Sequence, residues 1–348
     1  MYTINVAEKT WLTNCTDNDD AYKNDYRCKA IYYARTTSAV LSVLGCCLVL
    51  FIIIVYKKYR HFTQRLVMYL LLPTFVISGV SVYPNISNTS VSCEVAGFFM
   101  NWGILSQRLI ILCIVVHLLV FTFRQRRPAS LELMFHLVIW GFSLCFSIIP
   151  ILGHHYGSAG VWCWIKGTNL KEEGLRFGCF YIWVWCCILV EIVCFGLVVA
   201  RVQKQLKMLQ GNPDALQLKE QYKKYIYPLL LYPLVNFILA IPVTANRIQN
   251  WIDKENPVFE LFLLHSIVYP IWGFCNAMMY FMSKETILQL HPCNVWEQLI
   301  SCQGSSSQSP QVSNVQQRPN IDFNYAGNIL ANPSTLNSAT VESGSDME

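Results

Sequence analysis

Seven apolar runs divide the chain, at about residues 36–56, 65–83, 94–123, 131–153, 177–200, 226–246 and 258–281. Each is close to the roughly 20 residues that an α-helix needs to cross about 30 Å of hydrocarbon. Within hydrocarbon every backbone N–H and C=O must find its partner inside the protein, which leaves such runs little choice but helices. Composition points the same way: 14% of residues are charged, where a soluble domain carries about a quarter. The fold class read from this pattern is an all-α membrane protein, a seven-transmembrane helix bundle. Its expected parts are a short extracellular N-terminal segment (1–35), the helix bundle (36–282), an interfacial helix (283–302) and a disordered cytosolic tail (303–348). The opening MYTINVAEKT has no apolar core or cleavage site, so the first span is expected to serve as its own signal-anchor.

Two signals orient the bundle. Alternate loops are basic: 57–65 holds Lys57, Lys58, Arg60 and Arg65, 124–130 holds Arg124, Arg126 and Arg127, and 201–225 holds six further Lys and Arg residues. The positive-inside rule places these loops in the cytosol. The three Asn-x-Ser/Thr sequons, at Asn14, Asn85 and Asn88, then fall on the opposite side, where glycosylation takes place. The N-terminus is therefore expected outside and the C-terminus in the cytosol of a multi-pass plasma-membrane protein.

Most of the fifteen cysteines lie inside apolar runs and read as small packing residues. Those on the outer side face an oxidising compartment. Cys93 opens the third span and Cys163 lies in the loop before the fifth, so a bond between them would draw that loop across the bundle mouth. Cys15 and Cys28 are left to pair with each other, although spacing by itself does not fix connectivity.

Seven spans, an outer N-terminus and this cysteine placement resemble a G protein-coupled receptor. CWI (163–165), the fifth-span start LRFGCFYIWVW (175–185), YPLVNFILAIPVTANRIQNW (232–251) and GFCNAMMYF (273–281) together resemble the cyclic-AMP-receptor-like family. That family is distantly similar to the secretin-type receptors, and the resemblance covers roughly 36–290. It implies a receptor that passes an extracellular signal to heterotrimeric G proteins, with cyclic AMP among the affected messengers. No particular ligand is implied. Departures exclude nearby classes. Span three ends VVHLLVFTFRQRR, with His117 and no acidic residue where rhodopsin-like receptors carry Asp-Arg-Tyr. Span seven has Asn276 and Tyr280 but no Asn-Pro pair, and it lacks the lysine a retinal Schiff base requires. About 35 residues before the first span cannot build the hormone-capturing module of secretin-type receptors, so a small or medium ligand is expected.

Polar residues inside spans are costly and usually functional. Arg108 lies 15 residues past Cys93 and Glu191 lies 14 past Phe177, depths of about 22 and 21 Å at the helical rise. The match predicts an ion pair or shared water network coupling these spans. Asn101 is two turns above Arg108 on the same face. With Trp102, Arg176, Arg247 and His265 it is expected to line an outward cavity. The arginines there suit an anionic ligand such as a phosphate or carboxylate, and snorkelling is the plainer alternative.

Pro228, Pro233 and Pro242 interrupt span six and permit it to swing at its cytosolic end. Arg124, Arg126, Lys223 and Lys224 are candidates to face the G protein, or else to set topology only. Cys293 and Cys302 are candidate palmitoylation sites, and tail serines and threonines such as Ser305 and Thr340 are candidate targets for receptor kinases and arrestin. No enzyme activity, cofactor, metal or nucleic acid is expected. The seven histidines are scattered, and the one adjacent pair, His154-His155, has no carboxylate near it in sequence. A seven-span transporter or channel is the alternative reading.

Overall fold

The computed structural model describes residues 15, 25–82, 91–124, 131–159, 161–167, 169–208, 219, 226–253 and 256–282. The sequons Asn14, Asn85 and Asn88 lie outside these residues, as do Arg126, Lys223, Lys224, Cys293, Cys302, the expected interfacial helix and the tail; so does the side chain of Arg124.

Seven helices are long and apolar enough to cross a bilayer. They are α1 (Tyr26–Val55), α2 (Phe62–Val82), α3 (Val91–Arg124), α4 (Glu132–Gly153), α5 (Leu170–Met208), α6 (Tyr227–Ile252) and α7 (Phe259–Phe281). Two begin well before their apolar runs. The side chain of Asp25 accepts from the Arg27 N–H at 2.8 Å, and that cap starts α1 ten residues ahead of the run. Asn169 Oδ1 accepts from the Glu172 N–H at 2.9 Å and starts α5 seven residues ahead. Hydropathy marks where a helix meets lipid, whereas capping marks where the helix starts. Both α4 and α5 contain a π turn, at Leu137–Phe142 and Phe177–Tyr181.

The bundle is arranged around α3, which buries 72% of its apolar window against 28% for α4 and α5. Lipid tails are as apolar as leucine, so close packing and interhelical hydrogen bonds hold such helices together. Small residues accordingly mark the contacts. Gly45 of α1 lies against Ala277 and Phe274 of α7. Ser78 of α2 donates to Ser42 of α1 at 2.9 Å, and Ser106 of α3 donates to Ser143 of α4 at 2.8 Å.

Beyond α4, His154 takes a left-handed conformation (φ 52°) and turns the chain into a hairpin. Strands β1 (Tyr156–Ser158) and β2 (Cys163–Ile165) pair antiparallel, with Gly157 opposite Trp164. Disulfides join Cys93 to Cys163 and Cys15 to Cys28, as the sequence suggests. The first ties the hairpin to the head of α3 and the second staples residue 15 to α1.

Candidate ligand cavity

The hairpin is fixed to four helices. Trp164 Nε1 donates to Asn101 Oδ1 on α3 at 3.0 Å, and Asn101 Nδ2 donates to Ser147 Oγ on α4 at 3.1 Å. Tyr156 Oη donates to the Ser147 carbonyl at 2.9 Å, and burial holds that phenol above its ordinary pKa, so it stays a donor. Arg35 Nη1 on α1 and Arg176 Nε on α5 donate to the carbonyls of Val161 and Ile165, both at 2.9 Å. Gly97 lets the hairpin sit directly on α3: a Cβ there would lie 2.8 Å from the Tyr156 ring and 3.3 Å from the Trp164 backbone.

Beneath this roof is a cavity of about 820 Å³, counted to its open mouth. Trp162 and Trp164 cover it, and α1, α2, α3, α5, α6 and α7 contribute to its wall. Among the described residues three arginines line it, Arg35, Arg108 and Arg247, and no carboxylate does. Arg247 is held between indoles, its guanidinium carbon 5.0 Å from the Trp162 ring centre and 5.1 Å from that of Trp164. His265 is buried, 2.9 Å from Asn246 Nδ2, with its ring stacked on Tyr269.

Of the expected lining residues, Arg247 and His265 reach the cavity. Asn101 stands at the right level, but Trp164 covers it and both ends of its amide are engaged. Trp102 turns outward to stack on Trp140 of α4, with ring centres 5.7 Å apart. Arg176 lies over Trp164 at 5.4 Å and holds the hairpin instead of lining the space. Arg108 does line it, with its guanidinium carbon 4.6 Å from the Trp272 ring centre. Glu191 is fully buried nearby, yet neither carboxylate oxygen accepts a hydrogen bond within the chain, and no ion pair joins it to Arg108. Of the two expected forms of this coupling, the direct ion pair gives way to a cation–π contact, and the shared water network is left as an expectation. Arg35 was assigned to the N-terminal segment by hydropathy, although its spacing of seven from Cys28 already put both on one helical face. His154 and His155 do have carboxylate neighbours, contrary to their sequence surroundings: Glu94 at 3.4 Å and Glu172 at 3.6 Å. Among the described residues no group of three metal-ligating side chains forms.

Asn101 gives a direct test of how the roof is held. Asn101→Ala orphans the buried Trp164 N–H, which costs about 1–3 kcal/mol. We expect a lower melting temperature for Asn101→Ala in detergent, and a smaller additional loss when Trp164→Phe removes the stranded donor. Additive losses would show that the two side chains are uncoupled.

Seven spanning helices around a roofed cavity define the fold of a seven-transmembrane receptor. It resembles the crystal structure of squid rhodopsin with a TM-score of 0.63 at 15% identity, over 89% of this chain and 98% of that one. Residues 24–299 match the family described as slime mold cyclic AMP receptor, and the chain belongs to that family. Its relatives include G-protein coupled receptor 1 of Arabidopsis thaliana, 25% identical over 265 residues, or 74% of this chain and 79% of that protein. Cyclic AMP receptor-like protein A of Dictyostelium discoideum is 22% identical over 265 residues, 74% of this chain and 65% of that protein. The chain is a multi-pass membrane receptor of the G protein-coupled type.

Proposed function

We propose that this receptor sits in the plasma membrane with the hairpin end outside, takes a small anionic ligand into the roofed cavity, and activates a heterotrimeric G protein at the opposite end. The single observation that carries the ligand class is the lining: three arginines without a carboxylate. The orientation rests on the basic loops 57–65, 124–130 and 201–225, which follow α1, α3 and α5 and so alternate along the sequence with the hairpin segment.

At that far end Lys58 Nζ donates to Tyr280 Oη at 3.3 Å, and Arg65 makes a two-pronged contact with Glu132 at 2.7 and 2.8 Å. These contacts tie α7 to the turn after α1, and α2 to α4. A ligand that holds Arg247 on α6 together with Arg108 on α3 shifts the balance between conformers by its differential affinity for them. Pro233 and Pro242 interrupt the α6 hydrogen-bond ladder and give that helix its freedom to swing. Arg124, Arg126, Lys223 and Lys224 face the G protein in this reading. Kinases and arrestin act on the serine-rich tail, and cyclic AMP is a downstream messenger.

The test is expression in cells with biosensors for several G protein families and a screen of small anions. Arg247→Ala should weaken an anionic agonist about 10- to 100-fold, the worth of a charge-assisted hydrogen bond. Arg176→Ala should act more weakly, through the roof. Unchanged potency in the double variant retires the anionic ligand, and a solute current without G protein signalling retires the receptor reading in favour of a transporter.

A further inference from the structure

The cavity wall is divided chemically. Toward α1, α2 and α7 it carries Arg35, Ser81, His265 and Ser266, whereas α5 and α6 contribute the apolar Val184, Ile188, Ala240 and Val243 beside Tyr181, Thr244 and Arg247. Near the mouth Arg35 donates to the Val161 carbonyl, and Arg247 lies between two indoles with its N–H groups left for a ligand. Trp272 lies 13 residues into α7, at about 20 Å, close to the depth of Arg108. Arg108 is 4% exposed and Trp272 2%. Arg108 Nη1 and Trp272 Nε1 have no acceptor within the chain. A donor stranded away from water is costly, and these two are placed to donate to a group bound in the cavity. Among the described residues the lining contains no carboxylate or carboxamide, and the side chains offer a ligand rich in N–H groups hydroxyls and one imidazole as acceptors. The polar end that fits accepts hydrogen bonds and carries negative charge.

The apolar wall has an edge. Trp185 lines the cavity and is also 37% exposed. Leu189 one turn along α5 and Ile238 and Ile241 on α6 are exposed, on helices that cross the bilayer. Trp185 therefore lies on the side of the cavity where α5 and α6 carry exposed apolar side chains.

We propose that the cavity binds a single-chain lipid anion, with its acidic headgroup on Arg108 and Trp272 and its chain running past Trp185 between α5 and α6 into the bilayer. This deepens the anionic-ligand reading and rests on it. Glu191, buried three residues beyond Ile188 and outside the lining, makes no ion pair with Arg108, and its charge when ionised repels an anionic headgroup held there. Removing its charge strengthens binding.

The test uses the full chain in nanodiscs of neutral phosphatidylcholine, with an oleate analogue bearing a diazirine at its chain end as the probe. The expected result is cross-linking to α5 and α6 around Trp185 and Ile241, competed by oleate but not by butyrate. Labelling falls at least tenfold in Arg108→Gln and rises in Glu191→Gln, a gain that a folding defect cannot imitate. Labelling spread over exposed residues of helices other than α5 and α6, or indifferent to both substitutions, overturns the proposal. Competition by butyrate as strong as by oleate also overturns the lipid class, while leaving the anionic reading in place. If oleate, butyrate and inorganic phosphate all fail to bind, both readings fall.

Discussion

Gly273→Val is expected to leave no folded receptor at the cell surface. A Cβ at Gly273 would fall on Ser42 Oγ, 2.7 Å from Thr74 Cγ2 and 2.9 Å from Cys46 Sγ. None of these neighbours can give way easily. Ser42 is fully buried and accepts from Ser78, and Thr74 is held by its hydrogen bond to the Leu70 carbonyl. Forcing even one methyl group into so close a contact costs about 1–3 kcal/mol, and valine adds two more carbons. A loss of one or two kcal/mol already changes the folded-to-unfolded ratio roughly 5–30-fold. Surface labelling measures the loss, with Gly273→Ala intermediate. Gly196→Val is the control, because a Cβ there meets nothing within 4 Å. Equal surface levels for the two valine variants would show that α1, α2 and α7 do not meet at Gly273.

Cys163→Ser should silence the receptor even in cells where some protein reaches the surface. Its bond to Cys93 closes 70 residues, and on the chain-entropy account that constraint is worth about 4 kcal/mol. The functional loss exceeds the thermodynamic one, because Trp162 and Trp164 flank this cysteine and hold Arg247 between them. Once the hairpin lifts, the cavity loses its roof and Arg247 its position. The Cys15–Cys28 bond closes only 13 residues, about 3 kcal/mol by the same account. It holds no aromatic roof residue, so Cys15→Ser should cost stability and keep most of the ligand response. Surface expression measured beside G protein activation separates the two effects. Full signalling in Cys163→Ser would mean that the roof plays no part in binding.

The legible parts of this protein are those set by local chemistry. Seven apolar runs became seven helices, and both outward cysteine pairs closed. Helix starts were less legible. The caps at Asp25 and Asn169 are short polar signals that hydropathy passes over, and their effect was to place Arg35 on α1. Depth along a helix was also readable, and it put Arg247 and His265 at cavity level, whereas Arg108, read as a partner for Glu191, lines the cavity as well. Depth says nothing of what else arrives at that level. Asn101 shares a face with Arg108, yet the hairpin brings Trp164 onto it from 63 residues away. The same limit applies to Glu191, whose depth matches Arg108 while the guanidinium turns to Trp272 on another helix.

By itself the sequence determined how many times this chain crosses a membrane and where its basic loops lie. A backbone group or a charge in hydrocarbon carries its penalty whatever its neighbours are. The tertiary structure alone decided which polar side chains face the cavity and which are consumed in holding it. Arg35 reaches a carbonyl 126 residues away, and Arg247 rests between two indoles of a hairpin on the far side of α5 in sequence. Such contacts depend on how helices are turned about their axes, and that rotation is set by packing against partners remote along the chain.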